Sequence, residues 1–74
     1  MSYLPQISGK NLIKILEQIG YKVARQKGSH IRLKHKDATR KPVTVPNHKA
    51  IGKGLLRKIL RDAKLETKIL QGKR

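Results

Sequence analysis

The chain has 74 residues, which is enough for one small domain and too few for a second hydrophobic core. Nineteen Lys and Arg residues against four acidic residues give a formal net charge of +15. A surface coat that serves only solubility normally mixes both signs, so this imbalance predicts a polyanionic partner. Nucleic acid is the first candidate, followed by an anionic membrane surface or an acidic protein.

Cysteine content and hydropathy indicate the cellular compartment. The chain has no cysteine, which excludes disulfides and thiolate zinc sites and is compatible with a reducing cytosol. The first ten residues lack the long apolar stretch of a signal peptide, and no apolar run approaches the about 20 residues of a membrane span. We therefore expect a soluble, cytoplasmic protein.

The first predicted element is a helix over residues 8–20. Ser8 is placed to cap its N-terminus, and Gly20 supplies the stop at its C-terminus. Apolar residues recur at helical spacing and form one face, namely Leu12, Ile15, Leu16 and Ile19.

A β-hairpin is predicted next. Residues 21–26 change to period two, with Tyr21 and Val23 on one side, and residues 30–35 alternate again. The turn between the two strands is predicted at residues 27–28.

A polar loop over residues 36–41 leads to a short third strand that contains Val43 and Val45. Pro42 and Pro46 bracket this strand. Because proline cannot donate to a central ladder, the third strand is expected at an edge of the sheet.

The helical period returns over residues 52–64. Its predicted apolar face consists of Leu55, Leu56, Ile59, Leu60 and Ala63. A basic stripe lies nearly opposite and consists of Lys53, Arg57, Arg61 and Lys64. We expect a single domain over residues 1–74, with a core segment of about 8–65 and a short helix or tail over 66–74.

The order α-β-β-β-α predicts an α+β fold with a three-stranded antiparallel sheet and both helices on one face. Ile31 and Leu33 must then face the helices. Since side chains alternate along a strand, His30, Arg32 and Lys34 are expected on the opposite, open face.

His30 is the candidate catalytic residue. RNA carries its own nucleophile, the ribose 2′-OH, so its cleavage needs a proton-transfer group and cations that meet the phosphate charge. His30 supplies the first, and the second is supplied by Arg25, Lys27, Arg32 and Lys34. On composition alone, a histidine that is merely polar on a solvated strand is at least as compatible with the sequence.

The sequence lacks the residues that other mechanisms of nucleic-acid cleavage and binding need. The four acids Glu17, Asp37, Asp62 and Glu66 are scattered, whereas a two-metal nuclease needs converging carboxylates. His35 has the opposite strand parity from His30, which disfavours a shared metal site. The chain has only two aromatic residues for base stacking. Recognition of the nucleic-acid backbone remains, with or without metal-free cleavage.

Four segments in this order resemble the HicA family of small toxins: 8-SGKNLIKIL-16, 28-GSH-30, 43-VTVPNH-48 and 53-KGLLRKILRDAKL-65. The resemblance implies a fold like that of double-stranded-RNA-binding domains, mRNA cleavage, and a HicB-type antitoxin as partner. Because the acids are scattered, we expect this cleavage to need neither a metal nor a small-molecule cofactor. The family's catalytic histidine corresponds to His30. A second family histidine corresponds to His48, for which we expect a loop-surface or structural role. The chain departs from the family pattern at Asn11, where an acid is frequent, and at Lys64, where glycine is common.

The sequence therefore predicts a toxin that cleaves mRNA, with His30 as general acid or base. The predicted RNA-binding residues are Arg25, Lys27, Ser29, Arg32, Lys34, Lys53, Arg57 and Arg61. Gly28 and Ser29 fit two roles equally well: they form a turn, or their small side chains admit the RNA backbone. Two alternatives stay open, a non-catalytic RNA-binding module such as a ribosome-associated one, and an interaction protein that binds only an acidic partner.

Overall fold

The computed structural model describes residues 6–70 and confirms the predicted α+β fold. The elements are α1 (Gly9–Gln18), β1 (Lys22–Lys27), β2 (His30–Lys34), β3 (Val43–Pro46), α2 (Lys53–Asp62) and a 3-10 helix (Thr67–Leu70). The strands form one antiparallel sheet in the order β1-β2-β3. Of the segment predicted as a short helix or tail, residues 71–74 lie outside the described residues. Within residues 6–70, no helix has both the length and the apolar character needed to cross a membrane.

Both predicted ends of α1 are confirmed. The Ser8 hydroxyl accepts a hydrogen bond of 3.1 Å from the backbone N–H of Asn11, which caps the first turn. Gly20 has φ of 107°, a conformation that side chains rarely adopt. The backbone N–H groups of Gly20 and Tyr21 return to carbonyls in the last turn, at 3.1 and 3.0 Å. These two bonds are those of a Schellman cap, which ends the helix.

The end of α2 uses the same cap without glycine. Lys64 has φ of 59°, and its N–H donates to the Arg61 carbonyl at 3.1 Å. The N–H of Leu65 donates to the Leu60 carbonyl at 2.8 Å, which completes the Schellman pattern. A non-glycine residue in this left-handed conformation costs about 1 kcal/mol. The departure from the family pattern at Lys64 therefore does not move the end of α2, but it leaves the Lys64 backbone in a strained conformation.

One hydrophobic core joins both helices to β2 and β3. Its buried residues are Leu12, Leu16, Tyr21, Ile31, Leu33, Val43, Val45, Ile51, Leu56, Ile59, Leu60 and Ala63. Leu55, predicted on the apolar face of α2, is instead 38% exposed, because it lies at the margin of that face. Both helices thus cover the side of the sheet that carries Ile31 and Leu33, as the alternation predicts.

β1 extends beyond the helical layer. All six of its residues are exposed, and Val23 is 47% exposed although Tyr21, expected on the same side, is 1% exposed. Each helix contacts β3 more extensively than β1. The β1 side of the hairpin is therefore accessible from both faces.

Candidate nucleic-acid interface

The open face of the sheet carries the residues around His30 in three opposed pairs. Directly opposed residues in an antiparallel pair project from the same face. The pairs between β1 and β2 on this face are Lys22 with Lys34, Arg25 with Arg32, and Lys27 with His30. We call the five Lys and Arg residues of these pairs the cation ladder.

A β-bulge makes this arrangement possible. The register of β1 shifts between Val23 and Arg25, so that Ala24 is an extra residue in the strand. With strict alternation, Lys22 and Arg25 would project from opposite faces. The bulge brings both onto the open face, and Lys22 thereby joins the predicted RNA-facing cations, although strict alternation does not place it among them. Ala24 has none of the glycine signal that marks some bulges, so the sequence did not indicate it.

The cation ladder has no compensating anion within the sheet. All four acidic residues of the chain lie outside the three strands. Two of the three opposed pairs, Lys22 with Lys34 and Arg25 with Arg32, join like charges, which destabilises a strand pairing. A polyanion bound to this face would relieve that repulsion.

Three of the four carboxylates have local partners, and one of them is Glu66, whose Oε1 lies 3.3 Å from the Lys68 ammonium. Lys58 donates to Asp62 at 2.9 Å within α2, and this hydrogen bond lowers the pKa of Asp62. Thr39 donates to Asp37 from its hydroxyl at 2.7 Å and from its backbone N–H at 2.9 Å. The hydroxyl bond is the main cause of the lowered pKa of Asp37. None of these three carboxylates bonds to a residue of the cation ladder or to His30.

His30 lies in a shallow groove on the open face. The groove encloses about 180 Å³ and is lined by Arg25, Lys27, His30, Arg32 and Thr44. The Arg32 guanidinium donates to the Thr44 hydroxyl at 3.2 Å, which holds it between β2 and β3. A second groove, lined by Ala24, Arg25, Arg32 and Lys34, lies next to it along the hairpin. The His30 ring is exposed, and none of the hydrogen bonds among residues 6–70 involves its nitrogens.

The hairpin turn fixes the position of His30 at the start of β2. Gly28 has φ of 60° at the first central position, as a type II′ turn requires. A Cβ at Gly28 would meet open space, so the need for glycine here is conformational. The Asn47 backbone N–H donates to the Ser29 carbonyl at 2.7 Å and ties the turn to the segment after β3. For Gly28, this geometry favours the turn-forming role.

His35 has a structural role that distinguishes it from His30. Its Nδ1 accepts a hydrogen bond of 2.9 Å from the Asp37 N–H, so the ring proton is on Nε2. Nε2 donates to the Ile19 carbonyl at 2.8 Å, beside the end of α1. The ring also meets Tyr21 edge-on, with centroids 5.0 Å apart. Both nitrogens of His35 are thus occupied in holding the fold together.

His48 is exposed in the segment between β3 and α2. Its backbone carbonyl accepts a hydrogen bond of 2.9 Å from Gly9 at the start of α1. This bond anchors the segment and leaves the imidazole in solvent. Residues 6–70 contain no group of three or more His, Cys, Asp or Glu side chains that could hold a metal ion.

The basic residues of α2 lie on a different surface from His30. Lys53, Arg57 and Arg61 are exposed on α2. Leu56 and Leu60 of the same helix belong to the core on the covered side of the sheet. The predicted RNA-binding residues therefore divide into an open-face group and a helix group on opposite sides of the sheet.

Fold and surface together define a small, basic α+β domain that presents an exposed histidine among cations on an open sheet face. A sequence model of a family described as HicA toxin of bacterial toxin-antitoxin matches residues 9–65, well over half of the chain. The chain therefore belongs to the HicA toxin family, as its resemblance predicted, and has a toxin role that implies an antitoxin partner. Comparisons with curated proteins and with solved structures found no significant match.

Proposed function

We propose that this toxin is an endoribonuclease that cleaves mRNA, with His30 as its general acid or base. The supporting observation is the setting of His30. Its exposed ring shares a groove with Arg25, Lys27 and Arg32, and none of the hydrogen bonds among the described residues engages it. A ring with free nitrogens beside phosphate-binding cations can reach the reacting atoms of a bound strand.

The chemistry needs little beyond these groups. The 2′-oxygen of the substrate attacks the adjacent phosphorus and loses its proton, while the bond from phosphorus to the 5′-oxygen breaks. His30 takes the first proton as a base, or supplies a proton to the leaving 5′-oxygen as an acid. Lys27, which is paired with His30, stabilises the negative charge that accumulates on the oxygens of the reacting phosphate, and the neighbouring Arg25 and Arg32 hold the adjacent phosphate. The products are a 2′,3′-cyclic phosphate and a 5′-hydroxyl, and the reaction requires no cofactor.

The other predicted binding residues extend this site. Lys34 continues the cation ladder, and Ser29 lies in the turn that precedes His30. We propose that the helix group, Lys53, Arg57 and Arg61, contacts further phosphates of a long RNA from the other side of the sheet. The proposed antitoxin is a HicB-type protein with an acidic surface that covers the open face, because a +15 chain attracts a partner of opposite charge. Such a toxin would meet mRNA and antitoxin in the cytoplasm.

The reaction type can be tested with purified protein. We expect it to degrade single-stranded RNA in the presence of EDTA and to leave the corresponding DNA intact, because the nucleophile is the 2′-OH and the strands carry no carboxylate. Gel analysis of end-labelled RNA and DNA measures both outcomes, and RNA fragments should carry the cyclic phosphate. Cleavage that is lost in EDTA and restored by magnesium would contradict a metal-independent mechanism.

The two basic surfaces can be separated by their salt dependence. Replacing Lys53 and Arg57 with alanine should weaken RNA affinity to a similar extent for all sequences. It should also flatten the dependence of log K on log salt by up to about one unit per lost phosphate contact. Replacing Arg25 and Arg32 should flatten the slope in the same way and also slow cleavage at saturating RNA, because these residues line the groove of His30.

Charge-preserving variants provide the control for this experiment. Lys53→Arg with Arg57→Lys keeps two cations on α2 and should retain the wild-type slope. Fluorescence anisotropy over a range of salt concentrations measures each slope. If the alanine variant of α2 also retained the wild-type slope, the helix group would have no part in RNA binding, and the open face would be the whole interface.

A further inference from the structure

The spacing of the cation ladder suits a strand of nucleic acid that runs along the hairpin. His30, Arg32 and Lys34 are alternate residues of β2, so successive opposed pairs lie about 7 Å apart at the usual rise of a strand. This separation is comparable with that between neighbouring phosphates of an extended single strand. Each opposed pair can therefore face one phosphate, whereas an RNA laid across the strands would meet only one of the three pairs.

The ladder is asymmetric about His30. On one side, the pair that contains His30 is followed by two pairs of cations, first Arg25 with Arg32 and then Lys22 with Lys34. On the other side, the hairpin ends in the uncharged residues Gly28 and Ser29. The hairpin thus offers phosphate-binding groups in one direction from the proposed position of cleavage.

We infer that the open face binds single-stranded RNA with fixed polarity and grips two consecutive phosphates on one side of the scissile phosphate. Lys22 and Lys34 hold the outer of these two phosphates, which makes Lys22 an RNA-binding residue. The position of the cut relative to the ladder rests on the proposed function of His30. A fixed polarity follows from the chemistry, because the 2′-OH and the leaving oxygen lie on opposite sides of the reacting phosphorus and His30 approaches from one place.

Cleavage of short substrates tests the asymmetry. Each substrate contains a single ribonucleotide in a 2′-O-methyl strand, so that one bond can be cut, and carries zero to three further nucleotides on either side of the dinucleotide that contains this bond. We expect kcat/KM to rise by about threefold for each of the first two nucleotides added on one side, as for an exposed ion pair. Nucleotides added on the other side should change it little. Equal gains on both sides would overturn the inference.

The contribution of the outer pair, Lys22 with Lys34, can be tested with a variant of Lys22 and matched controls. The relevant quantity is the ratio of kcat/KM between substrates with two and with one added nucleotide on the side of the cut that faces Lys22 and Lys34. In Lys22→Ala, this ratio should fall by about threefold. Lys22→Arg keeps the charge and should keep the ratio. Lys14→Ala removes an exposed cation of α1, in the helical layer, and should also keep it. A ratio that Lys22→Ala leaves unchanged would remove Lys22 from the interface.

A binding experiment separates this inference from the proposed activity. A 2′-O-methyl tetranucleotide cannot be cleaved, and a spin label at its 5′ or 3′ end broadens nearby amide signals in NMR spectra. One label should broaden the amides of Lys22 and Lys34, and the other those of Gly28 and Ser29. This result supports the ladder even if the protein cleaves no RNA, in which case only the proposed enzyme is wrong. Broadening of both ends of the hairpin by both labels would overturn the fixed polarity.

Discussion

Replacing His30 with alanine is expected to abolish RNA cleavage and growth inhibition while leaving folding and RNA affinity nearly intact. A positioned acid or base contributes roughly 10²- to 10⁴-fold to a rate, so the loss of activity should be of that order. The ring is exposed and belongs to no part of the core, so the free energy of unfolding should change by no more than about 0.5 kcal/mol. RNA affinity should persist because five cations of the ladder remain.

The measurement compares wild type and His30→Ala expressed without an antitoxin, by growth and by RNA integrity. Urea unfolding and anisotropy with labelled RNA establish that the variant is folded and binds. His48→Ala is the matched control, since its ring is also exposed but lies outside the groove of His30, and we expect a smaller loss of activity. A folded His30→Ala protein that remained equally toxic would leave His30 as part of the basic face. If the wild type bound RNA without cutting it, the chain would be an RNA-binding module.

Replacing Gly9 with alanine is expected to destabilise the protein by about 1–3 kcal/mol, the usual cost of overpacking, or by more. Gly9 begins α1 and lies against the end of β3. A Cβ there would overlap the Pro46 carbonyl oxygen and lie 3.2 Å from the Asn47 Cα. Both neighbours are backbone atoms, and the Gly9 N–H is held by the His48 carbonyl at 2.9 Å, so neither side can yield easily.

Gly54 provides the control, because it lies in the first turn of α2 and a Cβ there would meet nothing within 4 Å. Gly54→Ala should raise the free energy of unfolding by about 0.5–1 kcal/mol, the usual gain of alanine over glycine in a helix. Equilibrium urea titrations of both variants at one ionic strength give the comparison. A Gly9→Ala protein as stable as wild type would show that α1 and β3 do not pack this closely.

The consequence of Gly9→Ala should extend to function. Pro46 pairs directly with His30, and Asn47 holds the turn that precedes it. Any movement of the end of β3 that relieves the overlap therefore displaces the neighbours of His30. In the fraction of Gly9→Ala protein that remains folded, we expect RNA cleavage to fall more than RNA affinity does.

The sequence alone predicted the features that depend on neighbouring residues. Ser8 and Gly20 end α1 as expected, because capping is a local interaction of the backbone with side chains a few residues away. Alternation placed Ile31 and Leu33 in the core and His30 on the open face, since one face of the sheet must be buried. The charge and the family segments led to the family, which the match over residues 9–65 confirms.

Only the tertiary structure decided which cations share a surface. The bulge at Ala24 arises from the pairing of β1 with β2, so period-two alternation could not place Lys22 beside Arg25. The helices cover β2 and β3 and leave β1 exposed. This arrangement depends on how the layers pack, which the spacing of apolar residues along the chain does not predict. The packing of α2 on the covered side of the sheet also explains why Arg57 lies on a different surface from His30. Local patterns specify the face of an element on which a residue lies, whereas the pairing of strands and the packing of layers determine which faces meet.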